Sequence, residues 1–226
     1  MQLWDRLCTK FLPIVAKRRF RVEPRGDLRR LGSEYGGWLV PLSLLSASST
    51  CYCVGVGEDI SFDRALMDAT GCEVHAFDPT PKAKRFVTEH CTRLPRFHFH
   101  DVGVWNEDTV VRFFAPQDPT HASYSISNLQ HTEQFVEAPC KRLATLTREL
   151  RHDRIDLLKL DVEGAEYPII AGMLADGVRP RVFCVEFHLP SFAKVRAAVR
   201  GLQSAGYDLV QIDFWNYTFV HSNAAP

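Results

Sequence analysis

The 226-residue sequence carries no net charge, its 27 lysines and arginines being matched by 27 aspartates and glutamates. With no overall field to collect nucleic acid or an anionic membrane, neither partner is expected over the whole surface. No apolar run approaches the roughly 20 residues that a membrane helix needs. The apolar stretches near the N-terminus are short, broken by charge and unlike a secretory core segment. The arginine-rich start has no serine until Ser33, unlike a transit peptide, so a cytoplasmic location is expected. No C-x-x-C pair and no paired-histidine motif accompanies the seven cysteines, which argues against zinc and for reduced, mostly buried thiols. No internal repeat is present.

What is there is a chain rich enough in apolar residues, at 46%, to bury one large core. Lys17, Arg18, Arg19, Arg21, Arg25, Arg29 and Arg30 crowd the first thirty positions, interleaved with Trp4, Phe11 and Phe20. Two readings fit them: a solvated helix and linker, or a docking arm for an acidic partner or a membrane surface. Residues 1–30 are accordingly read as an arm and 31–226 as the folded domain.

From residue 50 onward, apolar strand-like runs alternate with helical patterns. Strands are expected at 51–56, 73–77, 96–100, 110–115, 156–160 and 181–187. Helices are expected at 62–70, 81–91, 165–175 and 191–205. Two last strands, 207–214 and 217–221, are joined by Trp215-Asn216 as a hairpin. Such alternation predicts an α/β fold, a mostly parallel sheet with helices on both faces and a closing antiparallel hairpin. The polar stretch 117–138 has no periodicity and reads either as a lid over a substrate or as a surface loop.

Ligands of such sheets bind beyond the C-terminal ends of the strands. Each main strand here delivers an acid to that rim: Glu58 and Asp59 beside Gly55-Val56-Gly57, then Asp78, Asp101, Asp161 with Glu163, and Glu186 with His188. The glycine turn and Asp78, 23 positions after Gly55, match the spacing of a nucleotide fold whose acid grips ribose hydroxyls. A pyrophosphate, however, would meet Glu58 and Asp59 at the helix N-terminus. At ~4 Å and an effective dielectric near 20, two like charges repel by several kcal/mol. A cofactor with ribose, no phosphate and a cationic centre suits the turn, and S-adenosylmethionine is such a cofactor. An NAD-linked oxidoreductase is the alternative, but it wants a third glycine where Ile60 stands.

The segments YGGWLVP, VGVGEDISFD, EVHAFDPTP and LLKLDVEGAE, in that order, resemble the FkbM-like class I S-adenosylmethionine-dependent methyltransferases over roughly residues 30 to 215. The resemblance implies a Rossmann-like seven-stranded methyltransferase fold. It implies S-adenosylmethionine as donor and, as acceptor, a hydroxyl on a sugar or natural product. Carried over, Gly55, Val56 and Gly57 approach the methionine part, with Glu58 or Asp59 for its ammonium. Asp78 binds the ribose, Asp101 and Val102 border the adenine, and Asp161 lies near the methionine or methyl group. Gly36 and Gly37 form an upstream segment over the cofactor, or a tight turn. The family pattern places an acid two residues before the first glycine, where this chain has Cys53.

An alcohol acceptor benefits from a base, and Asp161, Glu163, Glu186 and His188 are the candidates. Asp161, Glu186 and His188 could ligate a divalent ion, but their spacing does not show it, and no metal is expected. A non-catalytic domain that binds S-adenosylmethionine and serves as a partner platform is the remaining alternative.

Overall fold

A computed structural model describes residues 18–118, 120–188 and 191–223. Trp4, Phe11 and Lys17 of the expected arm lie outside the described residues. The chain begins with β1 (Leu28–Leu31) and β2 (Trp38–Pro41), an antiparallel pair, and reaches the central sheet at β3 (Thr50–Val54). Next come helix α1 (Ser61–Thr70), β4 (Glu73–Phe77), α2 (Pro81–His90) and β5 (Phe97–His100). A small sheet follows, built from β6 (Gly103–Val104), β7 (Thr109–Phe114) and β8 (Phe135–Lys141). The chain returns through α3 (Leu143–Leu150), β9 (Leu157–Leu160), α4 (Glu166–Ala175) and β10 (Val182–Glu186). It closes with α5 (Phe192–Ser204), β11 (Tyr207–Asp213) and β12 (Asn216–His221).

The seven-stranded sheet runs β11-β12-β10-β9-β3-β4-β5, with β12 antiparallel to both of its neighbours. This is the Rossmann-like class I methyltransferase arrangement expected from the sequence. Period-two alternation splits β3 between two cores. Tyr52 and Val54 join the face covered by α3, α4 and α5, with Leu146, Ile169 and Val199. Cys51 and Cys53 join the other face, with Phe62 and Leu66 of α1 and Trp38 of β2. Six cysteines, at 51, 53, 72, 91, 140 and 184, are free and buried.

Strand register sets the functional rim. Val54 pairs with Phe77 on one side and Leu160 on the other, and Leu160 pairs with Val185. The residues that follow, Gly55, Asp78, Asp161 and Glu186, therefore emerge side by side. The switch in strand order lies between β3 and β9, where a doubly wound sheet opens a crevice.

Several local expectations are corrected. The boundary at residue 30 falls inside β1, and Phe20 stacks on Phe192 and against Tyr217, so this end of the arm belongs to the domain. The hairpin turn is Phe214-Trp215, because Asn216 already pairs with Asp213. The stretch 117–138 is not wholly loop: β8 begins within it, and Ser125 bridges to Phe114. Among the described residues no helix is long and apolar enough to cross a membrane.

Candidate active site

A cleft of about 690 Å³ opens over the rim, between the glycine turn, the ends of β9 and β10, the β1–β2 connection and the segment around Tyr124. Gly55 has φ +88°, and a side-chain carbon there would run into the Asp161 backbone carbonyl. Glycine is what lets the ends of β3 and β9 approach this closely. The turn is held from below by Lys159, which is buried and donates to the Gly55 carbonyl (3.3 Å) and to Asp161 Oδ2 (3.4 Å). Burial works against the Lys159 charge, but Asp161 and the buried Asp63 more than offset it and raise its pKa. Asp63, from α1, sits beside Cys53, and burial raises its pKa. An acid missing at position 53 thus reaches the same neighbourhood from position 63.

Glu58 and Asp59, read as counter-charges for a cation, are engaged elsewhere. Glu58 lies 3.8 Å from Arg85, half-exposed. Asp59 caps α1 through the Ser61 amide (2.7 Å) and accepts from Ser33 Oγ (3.0 Å), while the Gly36 amide donates to that same Ser33 oxygen (2.8 Å). Its role is to tie the Gly36 segment to the helix start, and Gly36 lines the cleft while Gly37 packs against the Ser33 carbonyl.

Asp78 is buried, and both oxygens are in use. One accepts from the Val56 and Gly57 amides (2.9 and 3.0 Å), the other from the Thr80 amide and hydroxyl (2.9 and 2.6 Å). A carboxylate offers about four acceptor positions, so a ribose diol would have to share them with the glycine turn. The third strand end presents Gly103 and Val104 to the cleft instead of Asp101 and Val102. Asp101 turns out to pair with Lys84, and Val102 packs on the core.

The remaining four residues converge. Glu163 and Gly164 both have positive φ, +50° and +96°, which turns the chain sharply after β9 and aims Glu163 back into the cleft. Such a conformation costs a non-glycine residue of order 1–3 kcal/mol. Glu166, fully buried at the start of α4, accepts from the Gly164 amide (2.9 Å) and so closes the turn. The same oxygen faces His188 Nδ1 at 2.7 Å. His188 Nε2 then points among Glu163 (3.5 Å), Asp161 (3.9 Å) and Glu186 (4.0 Å). Burial lowers the His188 pKa, but its hydrogen bond to Glu166 and the surrounding acids win and lift it to about 9. Burial first, and then Asp161, push Glu186 up to about 7.

The polar stretch runs along the cleft: His121, Ser123 and Tyr124 line it. Ser125 and Ser127 donate to the carbonyls of Glu163 (2.8 Å) and Gly164 (3.0 Å), fastening the segment to the turn after β9.

Residues 52–209 match the model of the methyltransferase FkbM domain. The chain belongs to this family. The FkbM match brings S-adenosylmethionine as cofactor, in keeping with a cleft lined by eight acidic residues beside the glycine turn. It does not favour the NAD-linked alternative. Among curated proteins, "Probable methyltransferase-like protein 24" of Homo sapiens is 24% identical over 169 residues, covering 73% of this chain and 37% of that protein. Its Rattus norvegicus counterpart is 25% identical over 146 residues, 62% of this chain and 34% of that protein. The chain thus spans about a third of these relatives. Among solved structures, Aeropyrum pernix fibrillarin in complex with S-adenosylmethionine aligns at TM-score 0.46, with 10% identity over 89% of this chain and 84% of that one. A precorrin-6y C5,15-methyltransferase from Geobacter metallireducens aligns at 0.43, with 12% identity over 79% and 85%. At these scores the likeness adds nothing to the strand order already described.

Reading the FkbM sequence alone overlooked three residues. Glu166 stood in the LKLDVEGAE motif without a task, although an acid three positions after Glu163 is placed to close a turn. Lys159 looked like a strand residue, yet a lysine inside LLKL is a signal, because a buried cation demands partners. Tyr35, almost fully exposed at the cleft mouth, stood in the YGGWLVP motif without a task.

Proposed function

We propose that this FkbM-family chain is an O-methyltransferase acting on a hydroxyl of a sugar or natural-product acceptor. The observation that carries the reading is the convergence of Asp161, Glu163 and Glu186 on His188 Nε2, in the same cleft as the glycine turn. Bound S-adenosylmethionine supplies an already activated methyl group. Gly55, Val56 and Gly57 would cradle its methionine part, and Asp161 or Glu163 would face its cationic end. Asp78, through the turn it pins, would border the ribose.

The chain's own work is positioning and proton removal. The hydroxyl proton of an acceptor would pass to Glu186, or to His188 in its neutral form, as the acceptor oxygen takes the methyl carbon and the carbon–sulfur bond of the sulfonium breaks. The segment fastened by Ser125 and Ser127 excludes water from that step.

The test is calorimetry with S-adenosylmethionine, S-adenosylhomocysteine and NAD, followed by transfer of labelled methyl to a panel of hydroxylated acceptors. Micromolar binding of the first two, none of NAD, and label in an ether linkage are expected. Binding of the cofactor with no transfer to any acceptor would favour a non-catalytic platform, and label on nitrogen would overturn the choice of atom.

A further inference from the structure

The side chains around His188 are arranged as a ligand set. His188 Nε2 lies 3.5 Å from Glu163, 3.9 Å from Asp161 and 4.0 Å from Glu186. A charge-assisted hydrogen bond would be about 2.7–2.9 Å long, so none of the three acids is bonded to it. The backs of these side chains are nevertheless fixed. Asp161 Oδ2 faces Lys159 at 3.4 Å, which leaves Oδ1 for the pocket. His188 Nδ1 is held at 2.7 Å by Glu166, which is fully buried and whose second oxygen has no hydrogen-bond partner. A histidine with one nitrogen on a buried carboxylate and the other presented to an open point is how proteins orient metal-binding imidazoles.

We propose that Asp161, Glu186 and His188 form a divalent-cation site, with Glu166 as the positioning residue behind the histidine. One ligand atom from each lies within 4.8 Å of the others. Three ligand atoms bound at about 2.1 Å to one ion lie roughly 3.0–3.6 Å from one another. The two His188 separations, 3.9 and 4.0 Å, and the third, within 4.8 Å, close to that range when the carboxylates rotate inward by roughly 0.5–1 Å. One imidazole and two carboxylates suit a first-row ion such as Mn²⁺, Fe²⁺, Co²⁺ or Zn²⁺ better than a soft one. The open coordination positions face the cleft, where an acceptor oxygen would arrive. The ion's role in binding that oxygen rests on the methyl-transfer reading, whereas its binding does not.

The experiment uses the full chain stripped with chelator. Mn²⁺ is followed by loss of its free EPR signal and Co²⁺ by visible absorption, in parallel with S-adenosylmethionine calorimetry. Saturable binding of one ion per chain is expected. His188→Ala and Glu186→Gln should each weaken it at least tenfold, and Glu166→Gln by about 10–100-fold, as outer residues do. Thermal midpoints of all variants are measured alongside; if Glu166→Gln fails to fold, the more exposed Glu186→Gln carries the test. A Mn²⁺ signal that stays free at millimolar protein, or binding that survives both ligand substitutions, overturns the site. In the first case, intact cofactor binding would leave the transfer reading standing without the ion. Binding of Mn²⁺ with no methyl transfer to any acceptor would do the reverse.

Discussion

The approach of Gly55 to Asp161 offers the sharpest test of how this cleft is built. Gly55→Ala places a carbon against the Asp161 carbonyl while holding an L-residue at φ +88°. Left-handed backbone costs an L-residue roughly 1–2 kcal/mol, and forcing extra volume against packed atoms costs a further ~1–3 kcal/mol. The control is Gly177→Ala, at φ +71° with nothing within 4 Å, which meets the first cost and not the second. Any gain from a stiffer unfolded chain is common to both substitutions and cancels in the comparison. At about 2–4 °C per kcal/mol for a domain of this size, Gly177→Ala should lower the melting temperature by ~2–8 °C. Gly55→Ala should lower it by ~4–20 °C.

The two should separate further on cofactor binding, since the displaced Asp161 backbone carries its carboxylate away from the turn. Gly55→Ala should weaken S-adenosylmethionine binding tenfold or more by calorimetry, and Gly177→Ala should leave it unchanged. If both variants melt together, or if Gly55→Ala binds the cofactor like the parent, the close approach is not what shapes the turn.

Lys159→Met should destabilise the fold by about 3 kcal/mol in urea, because it strands Asp63 and Asp161 without their buried cation; Asp63→Asn in the same chain should recover part of that loss, and strict additivity would refute the coupling. His75, His100 and His152 are kept neutral, mainly by burial and then by neighbouring histidines, with His75 lowered to about 3. Their folded pKa values lie below the unfolded value near 6.5, so the unfolded chain takes up protons that the folded chain refuses. Stability should therefore be complete above about pH 6.5 and fall as pH drops toward 3, and His75→Phe should flatten the slope of urea midpoint against pH. Replacing Ser125 and Ser127 together by alanine releases the segment over the cleft; its amides should exchange faster and cofactor dissociation should speed up, with the melting temperature moved by no more than a few degrees.

The central sheet was legible because its strands are short apolar runs punctuated by glycine, proline and acid, and each maps within two residues of its expected place. The β1–β2 pair was not, since LRRL carries two exposed arginines and resembles a basic linker until Trp38 and Val40 bury its partner. The helix Leu143–Leu150 was hidden for a different reason: Thr145 and Thr147 interrupt its apolar face, and Thr145 is buried only because Asp108 accepts its hydroxyl. At the site, the residue types at the strand ends were readable but their partners were not. Side chains choose between a cap, a salt bridge and a cleft by contacts distant in sequence, as Asp59 does with Ser33 and Asp101 with Lys84.

The distribution of acid around the glycine turn then follows from which carboxylates have a competing local donor. Glu58 and Asp59 have one within reach, in Arg85 and in the amide of Ser61, so the turn's own acids become structural. Asp161 and Glu163 follow a strand whose next helix is closed by Glu166 instead, which leaves Asp161 Oδ1 and the Glu163 carboxylate to face the cleft. Glu186 ends a buried strand with no hydrogen-bonding cation at hand, and that isolation is why burial moves it toward neutrality. A bound cation would then meet the acids of β9 and β10, across the cleft from the turn that first suggested a nucleotide. Exchanging Glu58 for glutamine should accordingly leave cofactor affinity within about twofold, because a half-exposed pair 3.8 Å from Arg85 contributes at most ~1 kcal/mol anywhere. Glu163→Gln should weaken that affinity several times more. Calorimetry that ranked the two the other way would return the cation to the glycine turn.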